Sequence, residues 1–274
     1  MTGPADGRRS VAVQRDEGIV STGDNAVNKL VRLPERAVRP AAEVECPVGL
    51  SNLPARPALF VGRAGALARL DLACAGGVAV QAVLGRGGIG KSALAARWAA
   101  ARTDCRPAWW ITAGTRAGID AGLAGLAIAV EPFLATTIPA EALRERAIEW
   151  LAAHVGWLLV LDNVNDPGDV RELLARAPTG QFLITSRQAT GWQGTAAPVP
   201  LGVLTEEEAV TLLRSMLPGI RPVAADGAVE LCRELGCLPL AIEQAGLYIV
   251  EAAITPRAYL DLLARYPAAM GGPA

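Results

Sequence analysis

The chain is poor in the residues that most site chemistry uses. Its one histidine, His154, has no candidate metal partners nearby in the sequence. Its five cysteines (Cys46, Cys74, Cys105, Cys232 and Cys237) are odd in number and contain no Cys-x-x-Cys pair, so reduced structural thiols are expected rather than a zinc site or a disulfide framework. Charge of one sign is also missing. Lys plus Arg number 26 and Asp plus Glu 27, mixed along the chain, which excludes the broad positive footprint of a nucleic-acid binder. Long hydrophobic runs are absent, because the stretches Ala121 to Val130 and Leu158 to Leu161 end well short of the ~18 residues that a membrane span needs. The stretch from Met1 to Ser10 carries Arg8 and Arg9 with no apolar region behind them, which argues against a secretory signal. A cytoplasmic protein is therefore expected, with neither a membrane nor nucleic acid as a direct partner. Lysine is the scarcest of the common charges. Only Lys29 and Lys91 occur, a bias of the kind a high-GC bacterial genome imposes, so the position of each carries information.

What is present suffices for a core, since 51% of the 274 residues are apolar. From residue 1 to 57 the chain is rich in Pro, Gly and Arg, lacks a sustained helical period and closes on Asn52-Leu-Pro-Ala-Arg-Pro57. It reads as a flexible arm and linker. Within it, the β-prone stretch Ile19 to Val27 faintly resembles short self-templating strand motifs. Strands are expected at Gly77 to Leu84, Pro107 to Ile111, Gly156 to Leu161, Gln181 to Thr185 and Val199 to Leu201, with helical spacing between them. Alternating β and α order predicts a parallel sheet covered by helices on both faces, spanning residues 58–203. From Thr205 the pattern is helical only and opens on a capping box of Thr205 and Glu208, which predicts a small all-helical subdomain over 204–274.

Gly85-Arg-Gly-Gly-Ile-Gly-Lys-Ser92 fits G-x-x-x-x-G-K-[ST] between an expected strand and an expected helix, the context a P-loop requires. The glycines Gly85, Gly87, Gly88 and Gly90, with Ile89 and Ala93, would bring backbone N–H groups and a helix N-terminus to a phosphate. Lys91 would bridge the outer phosphates, and Ser92 would offer its hydroxyl to Mg²⁺. The strand Trp157 to Asp162 ends on a carboxylate placed to serve the same Mg²⁺ from a neighbouring strand. Beside it stands Asn163, an amide where a second acid would activate water, so turnover should be slow and the chain a weak ATPase at most. The strand Gln181 to Arg187 ends on an arginine able to sense the γ-phosphate, which makes Lys91, Asp162 and Arg187 the candidate catalytic set.

Phe60-Val-Gly-Arg63, the P-loop, Leu158 to Asn163, Ile184-Thr-Ser-Arg187 and Gly236-Cys-Leu-Pro-Leu-Ala241 follow the order and spacing of the NB-ARC group of STAND ATPases. The chain resembles that family from about Leu59 to Ala264. The resemblance implies a P-loop NTPase fold with ATP or ADP and Mg²⁺ as cofactors. It also implies a signalling switch that forms homo-oligomers when activated and acts with effector or sensor domains outside this chain. Val61 and Arg63 are similar to the segment bordering the adenine, Pro239 to the proline that packs on base or sugar, and Arg187 to the first sensor arginine. The family continues into a winged helix that holds ADP, so a chain stopping at Ala274 is expected to bind nucleotide without locking it. Two other readings stay open: a conventional P-loop enzyme that spends ATP on another substrate, and the nucleotide-binding part of a transcriptional regulator.

Overall fold

A computed structural model describes residues 39–75, 79–217 and 227–265, and from Ala41 onward these form one compact unit. The β-prone stretch Ile19 to Val27 lies outside the described residues. Five strands make one sheet: β1 (Ala79–Leu84), β2 (Ala108–Thr112), β3 (Leu158–Val164), β4 (Gln181–Ser186) and β5 (Ala197–Pro200). All pairs are parallel and the order across the sheet is β2-β3-β4-β1-β5. The five expected strands are these five, with no end shifted by more than three residues.

A parallel sheet is covered on both faces, and β3 and β4 show it: Leu158 to Leu161 and Gln181 to Ser186 are buried throughout. Side chains alternate between two helix layers. Leu158, Val160, Val83 and Leu183 pack with Leu70 and Cys74 of α1 (Ala64–Cys74) and with Leu94 and Trp98 of α2 (Lys91–Ala99). Trp109 turns the other way, and its indole N–H donates to the Gly122 carbonyl of α3 (Arg116–Val130) at 3.0 Å. Helices α4 (Ala140–Ala153) and α5 (Gly168–Arg176) complete that side, α4 packing mainly on α3. His154, expected at a loop or helix end, caps the C-terminus of α4 and stacks on Trp150.

The stretch 41–57, expected to be linker, is anchored instead. The Trp150 indole donates to the Val44 carbonyl at 2.7 Å. Ser51 bridges to Ala108, and the Asn52 amide group both donates to and accepts from the backbone of Trp110. The cause is the sheet edge, since β2 is an outer strand whose free backbone groups need partners that composition alone does not announce.

Past β5 a second core forms from α6 (Glu206–Met216), α7 (Ala228–Glu234), α8 (Pro239–Glu251) and α9 (Pro256–Arg265), centred on Leu213, Leu231, Ile242 and Ile249. The expected capping box is in place. Thr205 Oγ1 accepts from the Glu208 N–H at 3.2 Å, and Glu208 Oε2 accepts from the Thr205 N–H at 2.9 Å. Among the described residues no helix is long and apolar enough to cross a membrane.

Candidate functional site

The loop from Gly85 to Gly90 joins the C-terminal end of β1 to α2, at the edge where parallel strands leave room for a ligand. Its glycines are demanded by the geometry. A Cβ on Gly85 would lie 2.6 Å from the Leu201 carbonyl oxygen, and Gly88 adopts φ 76, where side chains are strained. Lys91, 8% exposed, folds its ammonium back over the loop and donates to the carbonyls of Gly85 and Arg86, each at 2.8 Å. Burial, and then the positive charge of Arg187, hold this ammonium below the usual lysine range, while Asp162 pulls the other way.

Two hydroxyls converge on one carboxylate oxygen. Ser92 Oγ donates to Asp162 Oδ1 at 2.7 Å, and Thr185 Oγ1 donates to the same oxygen at 2.6 Å. Thr185 Oγ1 also accepts from the Asn163 N–H at 2.8 Å, which fixes the strand end where Asn163 turns into φ 63. Asp162 stands on β3, and β4 lies between β3 and β1. The expectation of a neighbouring strand is thus corrected: the carboxylate reaches Ser92 across the end of β4, with Thr185 of that strand as the intervening group. Arg187 follows β4, and its guanidinium carbon lies 3.5 Å from where a Cβ on Gly87 would sit. Asp166 is spent elsewhere, its Oδ1 accepting from the Gly168 N–H at the start of α5.

The helical half closes the cleft from above. Pro239 is the first residue of α8, and the Leu240 N–H donates to the Gly88 carbonyl at 3.2 Å. The resulting cleft of about 250 Å³ is lined by the loop, Lys91, Ser92, Ala93, Asn163, Thr185, Arg187, Pro239, Leu240 and Glu243. A smaller recess continues from it. Gly90, Ala93, Pro239 and Glu243 belong to both, and Leu59, Phe60, Val61, Arg63, Ile89, Leu204 and Leu212 make the recess mostly apolar. Cleft and recess together run from the cationic side chains at the glycine loop to the apolar side chains around Val61.

No family model matches the chain. Regulatory protein AfsR of Streptomyces griseus is 32% identical over 233 residues, a match covering 79% of this chain and 24% of that protein. A nucleotide-binding leucine-rich repeat (NLR)-like protein of Hyaloscypha variabilis is 28% identical over 207 residues, covering 66% of this chain and 21% of the relative. The chain belongs to the NB-ARC-type STAND P-loop ATPases. It spans about a quarter of the length of these curated relatives or less. A Walker-type ATPase of Pyrococcus abyssi shares the fold at 15% identity and a TM-score of 0.53, over 74% of this chain and 71% of that one.

Within this STAND chain most residues singled out from sequence meet in one place. Gly87, Gly88, Gly90, Lys91, Ser92, Ala93, Arg187 and Pro239 line the cleft, Asp162 supports it through Ser92, and Val61 and Ile89 line the recess. Arg63 borders the recess, but its guanidinium donates to the carbonyls of Gly202 at 2.6 Å and Ile89 at 3.0 Å, tying the entry to α1 to the loop after β5. Its backbone N–H is in turn held by Glu208 Oε1 at 3.3 Å. Sequence reasoning missed Glu243 and Leu240 as cleft residues, and Leu59, Leu204 and Leu212 in the recess. Leu212, Leu240 and Glu243 on helices, and Leu59 and Leu204 in the segments leading into α1 and α6, read locally as ordinary core or surface. Among the described residues no group of three His, Cys, Asp or Glu side chains could hold a metal without a ligand's help.

Proposed function

We propose that this chain is the nucleotide-binding switch module of a regulatory or defence protein, taking ATP or ADP with Mg²⁺ and turning ATP over slowly. One observation carries the reading: Lys91, Arg187 and the Ser92–Asp162 pair converge on the mouth of a glycine loop whose far end opens into an apolar recess. Two cations suit a polyphosphate, and the recess suits a base. The donor set fits Mg²⁺, which favours hard oxygens and takes one or two protein groups beside phosphate oxygens. Ser92 and Asp162 would hold it, and its chemistry is to neutralise charge on the outer phosphates. Slow turnover rests on Asn163. It occupies the cleft position beside Asp162 where an acid would take a proton, Asp166 is engaged in a turn, and Glu243 belongs to the end shared with the recess.

The regulatory half of the reading rests on the relatives, whose names describe a regulator and an NLR-like protein. In it, nucleotide state controls homo-oligomerisation, and effector and sensor parts lie beyond this stretch of chain in a bacterial cytoplasm. Calorimetric titration with Mg·ATP, Mg·ADP and each nucleotide in EDTA tests the binding. Saturable 1:1 binding of both nucleotides, tighter with Mg²⁺, is the expected result. Heat of dilution alone would remove the proposal.

A further inference from the structure

Glu243 is the acid that the cleft does not explain. It lies on the inward side of α8, lines both the phosphate-side cleft and the apolar recess, and shares that double position with Gly90, Ala93 and Pro239 only. No described cation or donor engages its carboxylate, and burial holds it above the usual carboxylate range. The carboxylate is half-buried, so its charged form is partly desolvated with no protein donor to compensate, and a carboxylate beside a polyphosphate repels it. Both costs fall away if the ligand itself brings donors to that point. A nucleotide whose phosphates lie at Lys91 and whose base lies beside Val61 carries its sugar past the residues common to both spaces. The phosphates offer no donors there, whereas the 2′ and 3′ hydroxyls of a ribose offer two.

We propose that Glu243 is a specificity-determining residue that accepts hydrogen bonds from the ribose hydroxyls and makes the site selective for ribonucleotides. This rests on the nucleotide-binding reading above and deepens it. A hydrogen bond to a charged partner corresponds to roughly tenfold or more in affinity. The full chain is therefore expected to bind Mg·ATP at least about tenfold more tightly than 2′,3′-dideoxy-ATP. In Glu243→Ala the ratio falls to near one, and in Glu243→Gln, which keeps one acceptor, it lies between. Because the side chain has no protein partner to lose, both variants should melt within a few degrees of the parent, which calorimetry checks on the same samples.

The outcomes separate cleanly. A parent that binds ATP and dideoxy-ATP equally, or a ratio unchanged in Glu243→Ala, overturns the role of Glu243 while leaving the nucleotide site standing. A parent that binds neither overturns both readings. Comparison of 2′-deoxy-ATP with 3′-deoxy-ATP then shows which hydroxyl the carboxylate holds.

Discussion

Around the ends of β3 and β4, two polar groups at the cleft are fixed by strands buried on both faces: Asp162 follows Leu158 to Leu161, and Thr185 follows Phe182 to Ile184. The α6 to α9 half reaches the same cleft from a separate core centred on Leu213 and Ile249. It meets the loop through small contacts, chiefly the Leu240 N–H on the Gly88 carbonyl, while Glu208 and the carbonyl of Gly202 hold the Arg63 segment. The sheet half presents charge from strands buried on both faces, and the helical half covers the cleft from a core of its own. Rigid scaffolds place chemistry, and loosely coupled elements are where a two-state response is inexpensive in free energy.

The strongest challenge to that contrast is Leu213→Ala. The residue is fully buried in the helical core, and the cavity should cost about 3 kcal/mol. If the halves are loosely coupled, hydrogen exchange speeds up across α6, α8 and α9 while β1, β3 and β4 keep their protection. Equal acceleration in the strands would show one cooperative unit and end the comparison.

Lys91→Ala tests the rigid half. The variant removes a buried cation from the loop, and Mg·ATP binding should weaken by about 100-fold, about 2.7 kcal/mol. Only two loop carbonyls lose their donor, so melting should change little. Parent-like affinity in a titration would mean that the loop is not where nucleotide binds.

The smallest effect sharpens the picture within the rigid half. Asn163 sits at φ 63, a conformation that Asn and Asp both tolerate, so Asn163→Asp should leave the backbone unchanged. It adds a proton acceptor in the cleft, and steady-state phosphate release should rise by about tenfold. A fall, or no change, would indicate that water activation is not what limits the parent.

Legibility in the sequence followed the range of the interactions. The P-loop was readable because eight consecutive residues contain its whole geometry, glycines for the turn and a helix start for the anion. The capping box at Thr205 and Glu208 was readable for the same reason. Asp162 was readable as a strand end, yet its strand was misplaced beside β1, since nothing local reveals that β4 inserts between them. Arg63 was visible as part of a recurring segment, while the engagement of its guanidinium required the carbonyls of Ile89, 26 positions on, and of Gly202, 139 positions on, to meet it. The anchoring of residues 41–57 was hidden likewise, because a sheet edge recruits whatever polar chain passes it.

The sequence by itself determined the parallel sheet, the glycine loop with Lys91 and Ser92, and an all-helical segment after it, because each follows from periodicity or from contacts within a few residues. Only the tertiary structure decided that Thr185 joins Ser92 on the Asp162 carboxylate, that Leu240 closes on Gly88, and that Glu243 stands where the cleft meets the recess. Those positions depend on strand order and on how one core docks against another. Burial of side chains far apart in the chain sets both, and their local pattern carries no record of the partner.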